Sequence, residues 1–167
     1  MKHVVLTSIL ILLLGACASG TQESNSDAVS AYEGKYTECV PYARTVSGVQ
    51  IYGDAWTWWD KAGGKYERGN KPRPGAVLAF GQSNKLSKGH VAVVVSTQDP
   101  RKILVTHANW GNNGRTRGVV HHRQPAVDVS PNNDWTQVKM MNTEGTFGSV
   151  YPAKGFIYPN TQIAQKH

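Results

Sequence analysis

The chain has little cysteine: Cys17 and Cys39 are its only two among 167 residues, so at most one disulfide can form, between those two. A long hydrophobic run is also missing. The apolar stretch at the start, Val4 to Leu14, is shorter than the roughly 20 residues of a membrane-spanning helix, which argues against permanent spanning. Acidic residues are scarce, 11 against 18 lysines and arginines, for a formal net charge of +7. No internal repeat or low-complexity tract occurs, which sets repeat architectures aside.

The apolar stretch has its own explanation. Met1-Lys2-His3 is a weakly basic start, and Leu14-Gly15-Ala16-Cys17 a small-residue cleavage site. The segment resembles a bacterial lipoprotein signal peptide with its lipobox, which implies removal of residues 1–16 and acylation of Cys17. By the rule of such lipoproteins, Ala18 after that cysteine implies the outer membrane, facing the periplasm; a plain secretory signal with an incidental cysteine is the alternative. Residues 17–31, with SGTQESNSD, are too small and polar to order themselves and read as a flexible tether. Residues 32–167 have the length of one ordinary domain. Loss of Lys2 leaves this mature chain at +6. That surplus suits anionic cell-wall polymers or lipid headgroups, or is simply a solvated surface; nucleic acid is not expected as a partner of an exported chain.

If lipid takes Cys17, Cys39 is left alone in an oxidising compartment, and a lone thiol there needs a reason. The alternatives are a Cys17–Cys39 disulfide or an inert buried thiol. In Glu38-Cys39-Val40-Pro41-Tyr42, Pro41 suits the first turn of a helix that stops near Gly48, so Cys39 falls at the amino end. The helix dipole and free N–H groups there are expected to lower the thiol pKa, with Glu38 opposing. A second helix is expected between Asp54 as N-cap and Gly63-Gly64, with Trp56 and Trp59 on one face and Trp58 turned away. Strands are expected over Ala76 to Phe80 and near Gly118 to His122, Trp135 to Met141 and Gly155 to Tyr158. Helices first and strands after predict an α+β domain, its N-terminal helices packed on a mainly antiparallel sheet.

The clearest pattern is GHVAVVVSTQDPRKILVTHANW, Gly89 to Trp110. Two runs rich in β-branched residues flank Gln98-Asp99-Pro100-Arg101, which reads as a β-hairpin with a proline-assisted turn. A turn centred between Asp99 and Pro100 sets His90 opposite Asn109, and a slip of two residues sets it opposite His107. Either register gathers His90, His107 and Asn109 on one face at the open end. A thiol at a helix start and this polar end are the parts that thiol hydrolysis needs: nucleophile, base, and a group that orients the base. His121-His122 has no evident partner and reads as surface or sheet edge.

The order ECVPYA, PRPGAVLAF, KGHVAVV, VTHANW resembles the CHAP domain of the papain-like NlpC/P60 superfamily, mostly peptidoglycan amidases and endopeptidases. The resemblance implies a papain-like α+β fold, with Cys39 as nucleophile and His90 as general base. It places His107 where a third polar residue, often Glu, falls, and Asn109 where an asparagine commonly follows; which of the two orients His90 stays open. Tyr42 and Trp110 are candidates to line the substrate cleft, with plain packing as the alternative. Glu38 stands where the family commonly has Gln. No acidic calcium loop precedes Cys39, so neither metal nor cofactor is expected. The resulting expectation is a monomeric, lipid-anchored cysteine amidase or endopeptidase acting on cell-wall peptide through a thioester. The competing readings are a non-catalytic peptidoglycan-binding or scaffold lipoprotein, and a zinc site built from Cys39, His90 and His107.

Overall fold

The computed structural model describes residues 30–32, 34–111 and 115–160. The signal segment 1–16, Cys17 and most of the 17–31 tether lie outside the described residues, as do positions 112–114.

Helix α1 (Cys39–Ser47) starts two residues ahead of Pro41 and ends at Gly48, whose left-handed φ of 75° returns its N–H to the Arg44 carbonyl. A 3-10 turn (Ala55–Thr57) leads into the short helix α2 (Trp58–Ala62). Strands follow: β1 (Arg68–Gly69), β2 (Val77–Phe80), β3 (His90–Asp99), β4 (Lys102–Ala108), β5 (Val120–Asp128), β6 (Gln137–Met141) and β7 (Phe147–Ile157). All neighbours are antiparallel, in the order β1-β7-β2-β3-β4-β5-β6, and β6 pairs again with β7.

That last pairing overturns the expected papain-like α+β arrangement of helices on a sheet. Strands β2 to β7 close into a six-stranded antiparallel barrel with β1 appended, and among the described residues the named α-helices are two short ones. Closure rests on β7, which pairs with β2 through Ala153 to Ile157 and with β6 through Phe147 to Pro152. Only its last residues were expected as strand, because Gly148, Pro152 and Lys154 break the apolar alternation of the rest. Closing the sheet removes the free edges an open one would expose.

Alternation along β2 and β3 therefore serves two cores. Leu78, Phe80, Ala92 and Val94 point into the barrel with Ile103, Val105, Ala126, Trp135, Met140 and Phe156. Val77, Ala79, Val91 and Val93 face outward and are covered by Tyr42, Ala43 and Val46 of α1 and by Trp58. This reverses the expected tryptophan pattern: Trp58 is fully buried, while Trp56 is exposed. The 3-10 start shifts the helical phase, so the spacing of a continuous α-helix does not apply.

Candidate active site

The hairpin is β3–β4. Near its open end Val93 opposes Thr106 and Val94 opposes Val105, the register that carries His90 toward Asn109, while irregularities shift the pairing nearer the turn. The side-chain bond from His90 nevertheless runs diagonally, Nε2 lying 2.9 Å from Nδ1 of His107. Both rings are buried. The backbone turns at Asn109, which has a left-handed φ of 59° and aims its amide elsewhere. Its Nδ2 donates to Glu38 Oε2 at 2.5 Å, and its Oδ1 accepts from the Gly118 N–H at 2.8 Å. The residue that meets His90 is His107, and Asn109 holds Glu38, which also accepts from the Tyr36 hydroxyl.

Helix α1 positions Cys39. Tyr42 is wholly buried and its hydroxyl lies 2.6 Å from Thr106 Oγ1, pinning the helix to β4. Tyr42 is thus a core residue and does not line the cleft, contrary to its candidacy as a substrate contact. Trp110 does line it, its ring edge-on to His90 with centroids 4.7 Å apart. Cys39 and His90 share one cleft of about 1000 Å³, walled also by Glu38, Asp54, Lys88 and Tyr151. The backbone N–H of Val91, the residue following His90, is near enough to the thiol to favour its ionised form. Among the described residues the sulfur makes no hydrogen bond to the His90 ring.

Electrostatics at the sulfur differ from the sequence expectation. Burial pushes the Cys39 thiol up to about 11, the Val91 N–H offsets part of this, and the Glu38 carboxylate adds to the rise. Desolvation outweighs the helix terminus, because a thiolate loses more hydration on burial than a few N–H groups restore. His90 is held well below the ordinary histidine range, first by burial and then by His107 and His121. Burial likewise brings His107 down to about 3, against the bond to Gln124. At neutral pH the resting pair is a thiol and a neutral imidazole.

Two residues beyond the sequence reading join this group. Gln124 of β5 presents Oε1 3.0 Å from His107 Nε2, and its Nε2 donates to the Met141 carbonyl. His121, expected at the surface or a sheet edge, is half-buried and lies against the His107 ring at 5.5 Å. The only sequence hint for either was a polar patch, HHRQ, within a strand. Among the described residues no three His, Cys, Asp or Glu side chains are disposed to hold a metal ion. His107 also has both ring nitrogens committed to hydrogen bonds, which argues against the zinc reading.

No curated protein matches the chain. CHAP domains in general are cysteine- and histidine-dependent amidohydrolases, and amidase-type hydrolysis of peptidoglycan is the activity they suggest. The family model described as CHAP domain matches residues 29–109, a span that runs through Cys39, His90, His107 and Asn109: the chain carries a CHAP domain.

Proposed function

We propose that this protein is a cell-wall hydrolase that cuts an amide bond in peptidoglycan peptide, with Cys39 as nucleophile and His90 as general base. One observation carries the reading: Cys39 and His90 wall the same cleft, and Nε2 of the His90 ring is bonded to His107. With Nε2 so engaged, Nδ1 is the His90 nitrogen left to serve the sulfur. As Cys39 attacks the substrate carbonyl, His90 takes the thiol proton, so thiolate and imidazolium form only as the S–C bond forms. The tetrahedral oxyanion is held by backbone N–H at the start of α1, with that of Cys39 nearest. His90 then gives its proton to the leaving amine, which departs and leaves a thioester. Water deprotonated by His90 hydrolyses it and restores the thiol.

The remaining assignments belong to the same proposal: lipid on Cys17, a tether over 17–31, a catalytic domain over 32–167, and a monomer anchored in the outer membrane facing the periplasm. Loss of palmitate labelling in Cys17→Ala is the expected outcome, and retained label removes the anchor. For the chemistry, purified sacculi are incubated with the chain and with Cys39→Ala, and released fragments are identified by mass spectrometry. Fragments with a cut amide from the first protein alone support the proposal. Equal release by both excludes Cys39 catalysis, and binding without release by either favours the non-catalytic scaffold.

A further inference from the structure

His107 cannot by itself decide which nitrogen of His90 carries the proton. Between two neutral imidazoles joined Nε2 to Nδ1, the bond can be made in either direction. If His90 Nε2–H donates, Nδ1 keeps a lone pair and His90 is a base. If His107 Nδ1–H donates, His90 carries its proton on Nδ1 and cannot accept one from the sulfur. Something beyond His107 has to break the tie.

Gln124 is placed to do so. Its Nε2 donates to the Met141 carbonyl, which fixes the amide and turns Oε1 to His107 Nε2 at 3.0 Å. A carbonyl oxygen only accepts, so His107 must carry its proton on Nε2 and present a bare Nδ1. His90 must then donate from Nε2. A local irregularity of β5 makes this possible. In a regular strand the side chains of residues 121 and 124 would point to opposite faces. Here the β4–β5 pairing shifts between Val105 opposite Gln124 and His107 opposite His121, and Arg123 takes a left-handed φ of 56°. The inserted residue leaves both His121 and Gln124 beside His107. Held by the fold at a non-glycine position, such backbone is strained, and strain of this kind clusters at functional sites.

We propose that Gln124 is a positioning residue that acts through His107 to set the proton direction of the chain, keeping Nδ1 of His90 free to serve Cys39. This builds on the hydrolase reading, but its central readout is independent of activity. The titratable groups around the pair are His121 from β5, against His107, and those that line the cleft with His90: Cys39, Glu38, Asp54, Lys85, Lys88, Arg117 and Tyr151. The experiment is long-range proton–nitrogen NMR of the full chain labelled with ¹⁵N in histidine, at pH 7.5, on the wild type, Gln124→Leu and Gln124→Glu. Expected are Nε2–H tautomers for His90 and His107 in the wild type and in Gln124→Glu, whose buried side chain, held as the neutral acid, donates its O–H to the Met141 carbonyl and accepts from His107 with its other oxygen. Gln124→Leu is expected to show His90 with Nδ1–H populated, and kcat on sacculi reduced about tenfold or more with KM within about twofold. A wild-type His90 carrying Nδ1–H overturns the proposal, as does a folded Gln124→Leu that keeps a single Nε2–H tautomer. Should Gln124→Leu fail to fold, the wild-type spectrum and the retained tautomer in Gln124→Glu still decide. Correct tautomers with no hydrolysis by any variant would count against the hydrolase reading and leave the proton direction standing.

Discussion

Cys39 is a nucleophile candidate whose resting state is the thiol. With its pKa near 11, the thiolate fraction rises about tenfold for each pH unit between 7 and 9. Iodoacetamide alkylation of Cys39, followed by intact mass, is expected to climb over that range; a plateau near pH 7 would contradict the burial argument. Glu38 adds a smaller contribution that can be removed, because its carboxylate sits beside the sulfur and raises the thiol pKa. Glu38→Gln keeps the shape, removes the charge, and is expected to speed alkylation at pH 8 about two- to fivefold. Since Asn109 donates to that carboxylate, Asn109→Ala is expected to leave the His90 tautomer unchanged, which separates its role from that of His107. Cys39 and His90 were legible from residue type and neighbourhood. The sign of the thiol shift was not, because desolvation depends on how closely α1 is pressed onto β3 and β4.

Among the elements, the hairpin was the most legible, since its alternating β-branched runs and Asp-Pro turn define both strands and their pairing. The glycine ahead of His90 shows why the segment reads KGH. Gly89 has a φ of 66°, and a Cβ there would lie 2.6 Å from the Trp56 nitrogen, 2.8 Å from its Cα and 2.9 Å from the Phe80 carbonyl oxygen. All three are backbone atoms of packed segments, so no side chain can swing away to make room. Gly89→Ala is expected to cost about 2–4 kcal/mol in urea denaturation and to displace the start of β3, so that any hydrolysis of sacculi falls with it. The β5 irregularity was not legible. HHRQ has no glycine to mark it, and the extra residue shows only once β5 is paired against β4. That is why His121 was read as surface and Gln124 was missed.

For the whole molecule, two buried neutral imidazoles link stability to pH. In the folded state both pKa values lie below the unfolded value of 6.5, that of His107 near 3. The unfolded chain therefore binds more protons below pH 6.5, and stability contributed by the neutral rings is lost as pH falls through that window. Each ring adds a slope of up to about 1.4 kcal/mol per pH unit. Unfolding free energy is expected to drop increasingly steeply between pH 6.5 and 4.5, and an unchanged value across that interval would show the rings to be solvated. Residue types and short-range pattern were enough to mark the hairpin, the helix at Cys39 and the chemistry of a thiol with imidazoles, because those signals are carried by neighbours along the chain. Barrel closure, the solvation of the sulfur and the Gln124 contact were decided only by folding. Each depends on residues far apart in sequence, such as Val138 on Tyr151, Cys39 on Val91 and His107 on Gln124, and on burial, a property that no local pattern carries.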